Sequence, residues 1–394
     1  MIVDRDTLDV LPISDKLLAS VAGEIVTEHS RGSLAWCNEL VLHVIEFKTD
    51  GPAVRLAGLG PAFREEVAEA NRMLAQYNAR LMPSAMHPWM DPFTEMKLWP
   101  HEYNPIYDAY NRIFDCRGHG WANLQSTHLN LPFNGDDEFE RLCAALRILT
   151  PLLPALSASS PVADGEIKPF ADYRMEVYRT NSARIPSVAG LIIPEAVFNK
   201  AEYYSRIFEP MYRDISPFDP EGILQYEWLN SRGVMARFDR GAIEIRVMDV
   251  QECPQADVAI LQLFVAVTRM LTEERWCSLA EQKRWHEKEL YDVLMRVVRD
   301  GEQAVITCKE YLQLFGITRT EMETGELWQY LFEAVSDSEM VDEESGQALQ
   351  IIFSRGTLAR RILRALPEGF DRSDLKQVYA SLCDCLQEGR MFLP

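Results

Sequence analysis

Between residues 242 and 249 apolar and polar side chains alternate, Ile243, Ile245 and Val247 against Glu244 and Arg246. Successive side chains of a strand point to opposite faces, so this segment can bury one face and present a carboxylate beside a guanidinium on the other. Gln125–Pro132 alternates in the same way. His128 and Asn130 share one face, opposite Thr127, Leu129 and Leu131. Residues 38–49 are rich in β-branched and apolar types and run into the turn Asp50-Gly51-Pro52, while Met1-Ile2-Val3-Asp4 reads as a short strand before a polar turn. Residues 1 to about 60 therefore read as strands and turns. Pro61 opens a helical pattern to about Arg80, with Phe63, Val67, Ala70 and Leu74 at helical spacing. Residues 83–133 are loop-rich, and Asp136-Asp137 start a helix toward Leu149 or Leu156. Residues 161–240 mix turns with short helices. From Pro254 the chain is mostly helical, over 255–275, 278–300 and shorter segments to 388. There is no internal repeat or low-complexity linker, so a strand-rich first part and a helical last part make either two domains or one core with a helical cap.

At 394 residues, 47% hydrophobic and 25% charged, the composition is that of a globular protein. No apolar run approaches the roughly 20 residues of a membrane helix, and the first residues lack signal-peptide order, so we expect a cytoplasmic protein without a membrane partner. The eight scattered cysteines read as free thiols. A net charge of −20 argues against a nucleic-acid surface. The same charge means that an anionic substrate needs local arginines or divalent cations, and the stretch from Arg232 to Arg246 supplies four arginines.

Several segments can carry chemistry. His128 on a polar strand face suits a metal ligand or phosphate contact, or a structural histidine. Glu39 and Glu46 bracket an apolar stretch. Their odd separation puts them on opposite faces of one strand, so a bulge or a turn after Glu39 is needed for both to reach one site. Leu156-Ser-Ala-Ser-Ser-Pro161 either cradles an anion or ends a helix. Arg174, Arg179 and Arg184 suit bidentate binding of carboxylate or phosphate, or a solvated helix face. Walker loops, Rossmann fingerprints, nucleophile elbows and zincin motifs are absent from the sequence.

In this order, the segments Glu39 with Leu42-His-Val-Ile-Glu46-Phe-Lys-Thr49, Met86-His87-Pro88, Thr127-His128-Leu-Asn130, Leu156–Pro161 and Gly241-Ala-Ile-Glu244-Ile-Arg246-Val-Met-Asp249 resemble the bacterial glutamate–cysteine ligase family 2, the carboxylate–amine ligases. The resemblance spans roughly residues 1–275. It implies an α+β, glutamine-synthetase-like fold, with helices outside a curved, mainly antiparallel sheet. It divides the chain into a catalytic domain, 1–275, and a helical C-terminal extension, 276–394. It further implies ATP and Mg²⁺ as cofactors and an amino acid and an amine as substrates, joined through an acyl phosphate. Carried over, Glu39, Glu46 and Glu244 are metal carboxylates, with His128 at the metal–nucleotide site. Arg246 faces the transferring phosphate or the substrate carboxylate, and with Glu244 forms the catalytic pair. Beside these we assign Asn130, Arg237 and Arg240 to the nucleotide with His128, and Arg174 and Arg179 to the substrate.

Family members usually begin with a Gly-X-Glu-X-Glu strand, and Met1–Asp4 looks like its continuation. The expectation is either a truncated start or a relative with a weakened metal site, which makes a non-catalytic nucleotide- or metabolite-binding protein the alternative. A metallohydrolase built on His87, His128 and Glu46 is a third reading. An exposed sheet edge would make a symmetric dimer reasonable.

Overall fold

The computed structural model describes residues 1–336 and 340–394. Its strands are β1 (Ile2–Asp4), β2 (Glu28–Arg31), β3 (Leu34–Asn38), β4 (Ile45–Thr49), β5 (Ala79–Leu81), β6 (Ser126–Pro132), β7 (Val162–Ala163), β8 (Glu166–Ile167), β9 (Val234–Arg237), β10 (Ala242–Asp249), β11 (Val305–Ile306) and β12 (Met322–Glu323). The fold is α+β, and its ladders are antiparallel. They form two three-stranded sheets, β6-β10-β9 and β2-β3-β4, and the pairs β1-β5, β7-β8 and β11-β12. The expected single curved sheet is thus divided into pieces. Isolated bonds join them, including Ile2 N to His43 O at 2.8 Å and Gln125 N to Ala85 O at 2.8 Å.

The alternation read for β10 holds in space. Ile243, Ile245 and Val247 lie in the main core, and Glu244 and Arg246 occupy the other face. In the first 60 residues the pattern missed the helix Ser14–Ala22, whose Leu17 and Leu18 are fully buried. The helix at Pro61 begins at Leu59 and stops at Leu74, because the chain must leave it to form β5 beside β1. The helix Asn104–Phe114 arises in a region read as loops; it buries Ala109 and Ile113, and its aromatic Tyr107, Tyr110 and Phe114 are spaced about one turn apart.

The helix Pro254–Thr272 corrects another expectation. It is 19 residues long and apolar enough, by length and composition, to cross a membrane. In the structure it is a core helix, with 72% of its most apolar window buried. It packs on the helices Leu59–Leu74, Gly135–Leu149 and Glu343–Arg355. The main core runs from Ala109 to Ile352, and a second core joins Met1, Val3 and Leu8 to Leu358, Leu375, Tyr379 and Leu382. The late helices therefore close over the first strands.

A buried ion pair fixes that closure. Arg361, 1% exposed at its side chain, pairs with Glu252, at 0%, just after β10. Arg361 also donates to the Phe392 carbonyl at 2.8 Å, and Phe392 N donates to Glu252 at 3.2 Å. Removing one partner strands the other charge in the core. E252A should lower unfolding free energy by about 3–5 kcal/mol in chemical denaturation. A loss below about 1 kcal/mol would mean that the pair is not what holds the C-terminal segment.

Candidate active site

β10 supplies the centre of the site. It pairs with β6 so that Glu244 stands opposite Asn130 and Ile245 opposite Leu129; the next pair is Met248 with Thr127. Two residues, Arg246 and Val247, thus oppose His128 alone, which is a β-bulge. Alternation puts Glu244 and Arg246 on the polar face, and beyond the bulge Val247, Met248 and Asp249 are all buried. The Arg246 guanidinium is in tight contact with the Glu244 carboxylate and reaches the Tyr178 hydroxyl at 3.5 Å; its Nε is buried without a partner. Arg237 approaches the same carboxylate at 3.6 Å, and His128 Nδ1 lies 3.7 Å from it. Burial works against ionisation of Glu244, yet Arg246, His128 and Arg237 together hold it at about 2.

Glu39 and Glu46 come from the neighbouring sheet. β3 ends at Asn38 and β4 starts at Ile45, so the chain turns directly after Glu39, as the odd separation requires. Glu46 pairs across the ladder with Cys37. Burial first, then repulsion from Glu46, raises Glu39 to about 7, with Glu244 adding to the rise and Arg246 opposing it. Burial likewise raises Glu46, which feels Lys48, Glu244 and Arg240. Glu39 thus feels Glu46, Glu244 and Arg246, and Glu46 feels Glu244, so the three carboxylates lie within one another's fields while burial resists ionisation of Glu39 and Glu46. His128 lies on the floor of this surface, crowded by protein while 37% of its side chain stays accessible. Crowding, with Arg246 and Arg174 nearby, lowers it to about 4, so it is neutral at pH 7. Its Nε2 shares a hydrogen bond with Ser126 Oγ at 2.7 Å.

These are hard oxygen donors, two of them resisting ionisation through burial, which fits a small divalent cation. The unpartnered Arg246 Nε–H fits an anionic oxygen. As the side chains stand, no three His, Cys, Asp or Glu groups among the described residues converge closely enough to hold an ion. Glu244 is tied to Arg246, so a cation there competes with the guanidinium.

The remaining predicted residues divide. Asn130 is exposed directly across from Glu244. Arg237 is committed mainly to Asp239, at 2.8–3.0 Å, with Glu244 beyond. Arg240 is exposed at the hairpin tip near Glu46, and none of the described side chains pairs with it. Arg174 does not serve as a substrate ligand. It is 1% exposed, pairs with Asp249, and donates to the carbonyls of Val247 at 2.6 Å and Arg246 at 3.4 Å. Arg179 is also corrected, because its Nε and one terminal nitrogen donate to Glu176 and its other neighbour is Tyr291. The Leu156–Pro161 segment does bind an anion, but one from the chain itself. Ser159 N and Ser160 Oγ donate to Asp249 at 2.9 and 2.8 Å. His87 is fully buried, with Nε2 on the Leu8 carbonyl at 2.8 Å and Nδ1 accepting from Trp89 N. It is held in the second core region, and the metallohydrolase reading loses its histidine pair.

Sequence reasoning missed the aromatic wall. Tyr107 and Tyr110, one turn apart on Asn104–Phe114, respond electrically to Glu39 and to Arg246 respectively. Tyr110 packs with Trp121 at 5.3 Å and Trp228 at 6.1 Å between ring centroids. The signal was the i, i+3 spacing of the tyrosines, hidden in a segment read as loop. A separate cavity of about 420 Å³, between Trp89, Phe93, His119, Asp164 and Arg372, shares no residue with this site. Its charged groups are already paired or capping helices.

The fold resembles a bifunctional glutathione synthetase from Pasteurella multocida, with a TM-score of 0.51 and 13% identity over 89% of this chain. The chain spans about half the length of that protein, 46%. Fold and site together define a class, α+β proteins in which antiparallel strands set carboxylates and arginines side by side on one polar face. Within that class the chain belongs to glutamate–cysteine ligase family 2, whose model matches residues 1–380, and so to the carboxylate–amine ligases. An uncharacterized protein of Archaeoglobus fulgidus is 30% identical over 99% of this chain and 98% of its own length. Proteins with the provisional name glutamate–cysteine ligase 2-1 are 23% identical in Corynebacterium efficiens, over 77% of this chain and 76% of that one, and 26% identical in a Nocardioides species, over 48% and 44%.

The resistance of Glu39 to ionisation has a measurable sign. Glu39 titrates at about 7 in the folded chain against an ordinary 4.5, so the folded state holds the proton more tightly than the unfolded state. The stability this brings is complete below the ordinary value and is lost as pH rises through about 7. Without divalent cations, E39Q should therefore exceed wild type by about 1–3 kcal/mol at pH 8 and match it at pH 4, in urea unfolding. An E39Q protein less stable at pH 8 would contradict that resistance.

Proposed function

We propose that the chain is an ATP- and Mg²⁺-dependent ligase that joins a carboxylate, the γ-carboxylate of glutamate, to the amine of cysteine or another amino compound through an acyl phosphate. The observation that carries this reading is that Glu39, Glu46 and Glu244, from two sheets, lie within one another's fields, with the half-buried Arg246 acting on Glu39 and Glu244. Membership in the family supports it.

Phosphoryl transfer asks little covalent chemistry of a protein and much positioning and charge neutralisation. Glu39, Glu46 and Glu244 would hold the Mg²⁺ ions, which supply positive charge to the nucleotide phosphates when bound. Neutral His128 can ligate or accept a hydrogen bond without adding charge. Arg246 offers its free Nε–H to an anionic oxygen of the carboxylate or the transferring phosphoryl group, at a position held before substrate arrives. Arg240, unpaired at the hairpin tip, provides a second guanidinium for the nucleotide, with Asn130 beside it. Tyr107 and Tyr110 shield the charged groups from water on one side.

One observation favours a second reading, a non-catalytic nucleotide or metabolite binder. Glu244 is engaged by Arg246, and no three ligands converge among the described residues. The two readings separate in one assay. With glutamate, a panel of amines and millimolar Mg²⁺, the ligase releases ADP in an amine-dependent way. E46Q and E244Q should each lower that rate by about 10²- to 10³-fold. Calorimetric nucleotide binding without amine-dependent ADP release supports the binder and contradicts the ligase.

A further inference from the structure

The geometry points to Arg174 as a positioning residue, one that sets the Glu244–Arg246 pair by holding the two carbonyls of the β10 bulge and touches no substrate. The regular β6–β10 register is interrupted between Ile245 and Met248, and the carbonyls of Arg246 and Val247 lie within that interruption. Arg174 donates to both, through NH1 at 3.4 Å and NH2 at 2.6 Å, while its Nε pairs with Asp249 at the strand end. Three donors of one rigid fork thus span residues 246–249. A lysine presents a single ammonium and cannot reproduce that spacing.

The fork is itself fixed. Ser160 Oγ accepts from Arg174 N at 3.0 Å and donates to Asp249 at 2.8 Å, and Ser159 N donates to the same carboxylate. From the other side Arg246 N donates to Gly233 O at 3.0 Å. A Cβ at Gly233 would stand 2.4 Å from Val247 Cγ1 and 2.8 Å from Ile192 Cγ2, so the Val247 side chain at the bulge is seated directly over Gly233. Strand faces alternate with a period of two. Losing the bulge would shift residues 247–249 by one place and turn Met248 toward the polar face, where it would crowd Arg246 and disturb its contact with Glu244.

The catalytic half of this inference rests on the ligase reading; the structural half does not. In the full chain, R174K should fold, with hydrogen exchange at amides 242–249 faster by at least about tenfold and other core strands unchanged. Its kcat for amine-dependent ADP release should fall by about 10²-fold, with the glutamate KM within about threefold, because the residue acts through Arg246. S160A, which removes one bond to Asp249 and one to Arg174, should move both readouts the same way by a smaller amount, and decides the matter if R174K does not fold. Unchanged exchange at 242–249 overturns the proposal. So does a selective rise in KM without faster exchange, which would make Arg174 a substrate contact. If wild type releases no ADP with any amine, the ligase reading fails, and the exchange measurement alone still decides the role of Arg174.

Discussion

A fully desolvated guanidinium facing a fully desolvated carboxylate, Arg174 with Asp249, governs where the rest of the site can be. Two buried charges gain little net stability from each other, because desolvation offsets most of their attraction. What such a pair can supply is direction. Here it ties the end of β10, the Ser159–Ser160 turn and the short helix Tyr173–Tyr178 into one block. Asp172 caps that helix and is raised well above its ordinary value, by burial and by the neighbouring Asp249. Tyr178, at the end of the same helix, touches Arg246 from the polar side. The block therefore grips the bulge through the backbone and meets its arginine through a side chain.

The same economy of position resolves the charge problem. A chain of net charge −20 repels anions at long range, and the site does not reverse that field with a basic patch. It uses few arginines, mostly already aimed. Arg237 is spent largely on Asp239, Arg174 on Asp249, and Arg246 on Glu244 with one N–H left over. Burial, and after it the charge of Glu46, pushes Glu39 up to about 7. Such an arrangement is poorly neutralised by itself and well suited to a cation that arrives with an anionic ligand.

Much of this was readable before any coordinates. The period-two pattern of β10 and β6 put Glu244, Arg246, His128 and Asn130 on polar faces, because alternation is a local property of a strand. The requirement for a turn after Glu39 was also explicit, since an odd separation cannot place two side chains on one face. What remained hidden was non-local. Whether a buried arginine meets substrate or carbonyl oxygens depends on a bulge between strands more than 100 residues apart in sequence, and nothing in residues 173–179 encodes it. Tyr107 and Tyr110 were lost because a short aromatic helix after several prolines looks like a loop. His87 misled for the opposite reason, since a histidine next to proline and tryptophan reads as chemistry while both its nitrogens serve the core.

The central claim is that a carboxylate is activated by phosphorylation on the face shared by Glu39, Glu46, Glu244 and Arg246. Its most direct test follows oxygen. Turnover with glutamate carrying ¹⁸O in its γ-carboxylate, ATP, Mg²⁺ and an accepted amine should yield inorganic phosphate containing one ¹⁸O per molecule, read by mass spectrometry or by the isotope shift in phosphorus NMR. That transfer occurs only if the carboxylate oxygen becomes bonded to phosphorus and leaves with it. Phosphate released with no label, at a rate matching ADP, would mean that ATP is hydrolysed without activating the carboxylate, and would contradict the account.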